Sequence, residues 1–192
     1  KISLLMLAAS LMACGNSTPS RTDIAVPQPS INNPVPALDK VDLANAERCD
    51  FLDAAHCLYP FPNDHFTVLD DSLDTGRRVN LQTVSMPINR RGIHIDATEW
   101  NRSDGFSPGP KILTQVPGID LLKTGAVPIT DIARYLDPAQ PILLLDALTG
   151  ERQMLFAELD ANSSSAAGQS LIIRPAKNLL EGRRYIVALR SL

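Results

Sequence analysis

Five apolar runs after Pro110, KILTQV, PILLLDA, QMLFAEL, SLIIRP and RRYIVAL, constrain the fold more than any other feature of this chain. Each is about the length of a strand and too short for a helix with a useful buried stripe. Turn-forming residues part them, among them Leu148-Thr149-Gly150-Glu151 and the polar stretch DANSSSAAGQ. Strands at this spacing, with no long helix between them, predict a β-sandwich over residues 105–192. TDIARYL is expected to add one helical turn, capped by Thr130 or Asp131. Fifteen prolines against ten glycines also favour loops and short strands over long helices.

Residues 46–104 read as a separate small module. HFTVL and RRVNLQ flank the turn DDSLDTG and predict a β-hairpin. GIHID alternates, which places Ile93 and Ile95 on one face of a strand and His94 on the other. Asp96 is expected to cap the segment ATEWNR, with Trp100 as a core anchor between the two halves. Asp70, Asp71 and Asp74 do not follow the spacing of a calcium loop and read as a solvated turn.

The first residues set the compartment. KISLLMLAASLMA has a basic start, an apolar stretch of about a dozen residues and small residues at its end, the layout of a secretory signal. It is shorter than the roughly 20 residues needed to cross a bilayer. Leu11-Met12-Ala13-Cys14-Gly15 resembles the lipobox of bacterial lipoproteins, with Met12 a less usual occupant of its position. The resemblance implies cleavage after residue 13, a diacylglycerol on Cys14 and a lipid-anchored, exported protein. Because Gly15 replaces the Asp of many inner-membrane lipoproteins, it implies the outer membrane in a Gram-negative host. Residues 14–45, which carry Pro19, Pro27, Pro29, Pro34 and Pro36, then read as a semi-rigid tether.

With Cys14 assigned to the lipid, Cys49 and Cys57 remain, in CDFLDAAHCLYPFPND. In an exported chain such a pair is expected to be one disulfide, worth about 2.5 kcal/mol by loop closure. The rival is zinc held by Cys49, His56, Cys57 and His65, but that spacing fits no standard ligand pattern, and the C-x-x-C of redox pairs is missing. No metal and no cofactor are expected. Loss of residues 1–13 removes only Lys1, so the formal charge goes from −3 to −4. The arginine pairs 77–78, 90–91 and 183–184 form no continuous stripe, and nucleic acid is not an expected partner.

Two further resemblances refine the expectation. SLIIRPAKNLLEGRRYIVAL is similar to the closing half of bacterial Ig-like domains of the S-layer and adhesin type, through Pro175, Asn178, Leu179, Gly182, Tyr185, Val187 and Leu189. Those domains normally add a further strand, so the resemblance implies an Ig-like sandwich that is incomplete at Leu192, with RRYIVAL a buried strand. Pro60-Phe61-Pro62-Asn63-Asp64 and Asp104-Gly105-Phe106-Ser107 resemble the N-terminal, non-catalytic region of a bacterial extracellular lipase family. That likeness implies a hydrolase domain beyond residue 192 and transfers no catalytic residue. Within the chain no G-x-S-x-G elbow occurs. Ser163, Ser164 and Ser165 lie in a polar loop downstream of His56, His65 and His94, the wrong order for an α/β-hydrolase triad. The expected role is therefore a membrane-anchored structural or binding module, with the leading region of an anchored lipase or esterase as the alternative.

Overall fold

The computed structural model describes residues 45, 48–50, 52, 53, 55–190 and 192. The signal segment, Cys14 and all of the tether except Asn45 lie outside the described residues. The described part is mainly β, and every strand pairing in it is antiparallel. Strands β1 (Thr67–Leu69) and β2 (Arg77–Val79) form the expected hairpin. Strands β3 (Ile112–Gln115), β4 (Ile142–Asp146), β5 (Leu155–Leu159), β6 (Ser170–Pro175) and β7 (Tyr185–Leu189) coincide with the five apolar runs. They sort into a sheet of order β3-β6-β5 and a two-stranded sheet β4-β7. Among the described residues no helix is long and apolar enough to cross a membrane.

Alternation explains how the two sheets come to share one core. Along β6, Leu171 and Ile173 are fully buried while their neighbours are half-covered. Ile173 stands opposite Ile112 on one side and Ala157 on the other, so one face carries a continuous apolar rung. Leu171 likewise stands between Thr114 and Leu159. Against this face pack Ile142 and Leu144 of β4, with Ala126 and Val127 from the preceding connection. The edges of the larger sheet are partly covered: Phe61 exchanges two backbone hydrogen bonds with Leu113 (2.8 and 2.7 Å), and the Ala157 N–H reaches Val127 O at 2.9 Å. Covered edges do not recruit other strands.

Polar residues shape the connections. Asp120 accepts from the Leu122 and Lys123 N–H groups at the start of the short helix α1 (Leu121–Thr124), and Gly125 ends it at φ +72°. The 3-10 segment Ile129–Leu136 contains the expected helical turn, broken at Asp131.

A second apolar cluster lies under the hairpin and comprises Phe66, Val79, Leu81, Met86 and Ala97, with Leu58, Phe61 and Phe106 against it. Cys49 and Cys57 are joined by a disulfide, as expected, and Cys49 is buried. The stapled segment docks through Asp50, whose carboxylate accepts from the Asn63 side chain at 3.0 Å, and through the Ser85 hydroxyl, which donates to Arg48 O.

Three local expectations are corrected. Trp100 is no core anchor: it is 51% exposed. Its 3-10 turn instead presents Asn101, which accepts from the Leu81 N–H (2.7 Å) and donates to Leu81 O (3.0 Å), leaving the tryptophan outside. GIHID is not a half-buried strand; residues 87–96 are all exposed, and only Ile88 and His94 form an isolated bridge. Nor is RRYIVAL a buried strand. Among the described residues β7 pairs with β4 alone, and Ile186, Val187 and Leu189 are all exposed.

The packing hierarchy is testable by urea unfolding. Leu171→Ala, at a position of no exposure, should cost about 3 kcal/mol. Leu122→Ala, at 92% exposure, should stay within about 0.5 kcal/mol of the parent.

Candidate functional site

The motifs singled out in the sequence meet at one cavity of about 490 Å³. Its walls come from Pro62-Asn63-Asp64, from Asp104 to Pro108, and from the turn Leu179–Tyr185 ahead of β7. The first two are held together by aromatic contact. The Phe61 ring meets Phe106 edge-on at a centroid distance of 5.3 Å and lies 5.9 Å from Phe66. Such pairs add about 0.5–1.5 kcal/mol beyond area burial. The third wall is fixed by backbone: the Leu179 N–H donates to Pro108 O at 2.7 Å, and the Leu180 N–H to the Tyr185 hydroxyl at 2.8 Å. Ile112, Leu144 and Val187 supply apolar floor.

The rim carries three carboxylates, Asp64, Asp104 and Glu181, and three guanidinium groups, Arg77, Arg183 and Arg184. All three arginines are ion-paired, whereas Asp104 and Glu181 have no ion pair among the described residues. Asp64 faces both Arg184 and Arg77, the latter at 3.7 Å. These groups are substantially exposed, so the pairs orient loops and add little stability. Arg183 instead reaches the buried carboxylate of Asp146 at 3.1 Å. Burial pushes the Asp146 pKa up, but the Leu148 and Thr149 N–H groups and Arg183 outweigh it and hold the carboxyl below its usual value.

The hydroxyls around the cavity are all engaged in loop contacts. Thr67 donates to Asp64 O and Thr75 to Asp104 O, while Ser107 accepts from the Gly109 N–H at 3.2 Å. No serine or threonine there has a histidine as partner, and a nucleophile without a base is weak. The arrangement places an apolar floor inside a rim of charged groups.

The other candidates are scattered. His56 Nδ1 sits 3.1 Å from Asp53, in a turn that Asp53 also caps. His65 stacks edge-on against Phe66, and His94 Nδ1 donates to Met86 O at 2.7 Å. With both thiols in the disulfide, the rival zinc set of Cys49, His56, Cys57 and His65 has lost its sulfur ligands. Among the described residues no group of three or more metal-ligating side chains occurs. Ser163 donates to Ser165 O, and Ser165 accepts from the Gly168 N–H, so these hydroxyls build their own loop. Asp70 accepts from the Ser72 hydroxyl and from Arg78, which hold its pKa down, and it acts as a turn cap. A second cavity of about 330 Å³ lies beside the staple, where the Tyr59 and Ser170 hydroxyls are 2.9 Å apart. Sequence reading missed the roles of Asp64, Asp146 and Arg183; the carboxylate before the Leu-Thr-Gly turn was the available signal for Asp146.

Acid titration checks the Asp146 environment. Its folded pKa lies below the unfolded value of about 3.9, so its contribution is complete above that pH and is lost as pH falls through the folded value. Asp146→Asn should lower the melting temperature at pH 7 and narrow the gap between pH 7 and pH 3 melts. An unchanged gap would remove Asp146 from the acid response.

Comparison with protein-family profiles, with curated proteins and with solved structures finds no match to this chain, so its likenesses rest on the motifs alone.

Proposed function

We propose that this chain is an exported, lipid-anchored module that binds or braces and does not catalyse. Cys14 would carry the anchor, residues 15–45 would hold the body clear of the bilayer, and the β-rich body would present the larger cavity. The observation that carries this reading is the cavity itself: an apolar floor inside a charged rim whose arginines are all ion-paired, with each rim hydroxyl committed to a loop contact. As its finer fold we propose an Ig-like sandwich, supported by two antiparallel sheets that share one core and by the Leu180–Tyr185 hydrogen bond within the Ig-like turn motif.

One observation favours a second reading, the leading region of an anchored lipase or esterase. The two lipase-like motifs, distant in sequence, are in direct contact through Phe61 and Phe106 and wall the same cavity. On that reading the groove braces a hydrolase domain and the chemistry lies elsewhere. A G-x-S-x-G codon run downstream of Leu192 in the gene would select it over the free-standing module.

Two experiments test the main reading. Cys14→Ala, expressed with the native leader and fractionated, should leave the membrane and lose the mass of the lipid; retention with unchanged mass would overturn the anchor. Residues 15–192 should not hydrolyse short-chain acyl esters. Turnover that disappears on substituting Ser163, Ser164 or Ser165 would overturn the non-catalytic reading.

A further inference from the structure

Residues 87–96 are the longest uninterrupted exposed run among the described residues, and buried Met86 and Ala97 pin the two ends. Between those pins the chain makes a projecting hairpin. The Ile95 N–H donates to Pro87 O and the Asn89 N–H to Ile93 O. Asn89 Oδ1 accepts from the Arg91 and Ile93 N–H groups, and Gly92 closes the tip at φ +75°, where a side chain would be strained. The tip is thus a built turn.

Its chemistry is unusual for a surface loop. Ile88, Ile93 and Ile95 are exposed by 60%, 59% and 42%. Arg90 and Arg91 stand between them at the tip, and neither has an ion pair among the described residues. No carboxylate lies within 87–95. The acids at its base are occupied: Asp96 accepts from the Thr98 hydroxyl and N–H, and Glu99 pairs with Arg102. A projecting element with apolar side chains beside unneutralised guanidinium groups matches a surface that is negative outside and apolar a few ångströms in.

We propose that the hairpin 87–95 is a membrane-contact element that seats on anionic phospholipid. Seated tip-first, the hairpin takes Ile93, beside the tip, into the headgroup and acyl boundary with Ile88 and Ile95 above it. The long stems of Arg90 and Arg91 let their guanidinium groups reach back to the lipid phosphates. The setting rests on the membrane location proposed above, because a tethered body meets the bilayer continually and a weak contact suffices to orient it. The contact itself does not depend on the lipid anchor.

The test uses the chain from residue 14 onward with Cys14→Ser, which has no acyl group and keeps every described residue. It should co-sediment with phosphatidylglycerol–phosphatidylethanolamine vesicles and much less with phosphatidylcholine vesicles. Each basic residue near an anionic surface is worth about fivefold in affinity, so Arg90→Gln with Arg91→Gln should weaken binding roughly 25-fold. Ile88→Ser with Ile93→Ser should weaken it without altering the preference for anionic lipid, and the double lysine variant should retain it. Equal binding to both vesicle types, no binding, or binding indifferent to these substitutions would overturn the proposal. Because the acyl-free chain is used, failure here leaves the anchor reading intact, and failure of Cys14→Ala to leave the membrane leaves this result intact.

Discussion

Strand β6 is the element on which the described structure depends. Among the described residues it is the only strand with a ladder partner on both sides, and its Leu171 and Ile173 are fully buried. Ile173 aligns Ile112 with Ala157, which puts the apolar residues of three strands on one face in one register. A slip of one residue would turn that whole set outward. The register therefore fixes the face against which β4 packs, and with it the floor of the larger cavity. Through β3 it also reaches the N-terminal part, because Leu113 and Phe61 exchange backbone hydrogen bonds in both directions. The Pro62–Asp64 wall of the cavity, which follows directly on Phe61, is thus tied to the same sheet that supplies Ile112 to its floor.

Strand positions were legible in the sequence because short apolar runs bounded by turn residues are a local property. Which face of each run points inward was not, since Leu143, Leu145 and Ile172 are as apolar as the buried Ile142, Leu144, Leu171 and Ile173. Partner choice was not legible. Nothing within QMLFAEL says that it joins β6 while RRYIVAL joins β4, since pairing depends on the path of the whole chain. Burial of β7 failed for the same reason: an apolar face is buried only where a second layer reaches it. At Trp100 local reading failed differently. Side-chain size favoured the tryptophan as the anchor, yet a short polar side chain can satisfy both backbone groups of Leu81, and Asn101 does so.

The candidate site was legible as motifs and not as a place. PFPND and DGFS are separated by some forty residues, and only folding brings Phe61 against Phe106. The arginine pairs were visible but looked scattered, because sequence cannot tell a neutralised guanidinium from a free one. The structure separates them by partner. Arg77 and Arg184 face Asp64, Arg78 faces Asp70 and Arg183 faces Asp146, while Arg90 and Arg91 pair with no carboxylate among the described residues. A fully paired charge contributes little to long-range attraction, and an unpaired one keeps its field. The net charge of the chain therefore says little about what any one surface attracts.

The N-terminal part shows what a small element needs when its sheet is minimal. Strands β1 and β2 have three residues each, and an isolated two-stranded hairpin is marginal at best in water. The chain holds only five phenylalanines, yet Phe61, Phe66 and Phe106 are gathered in this one cluster. Large rings supply apolar volume that short strands cannot, and the disulfide lowers the entropy of the unfolded segment beside them. The staple and the aromatic cluster then act on opposite sides of the same equilibrium, one by restricting the unfolded chain and the other by stabilising the folded one. This accounts for the position of Cys49–Cys57 next to PFPND: the bridge constrains the segment that leads directly into Phe61, and Phe61 is the residue that joins the aromatic cluster to the main sheet.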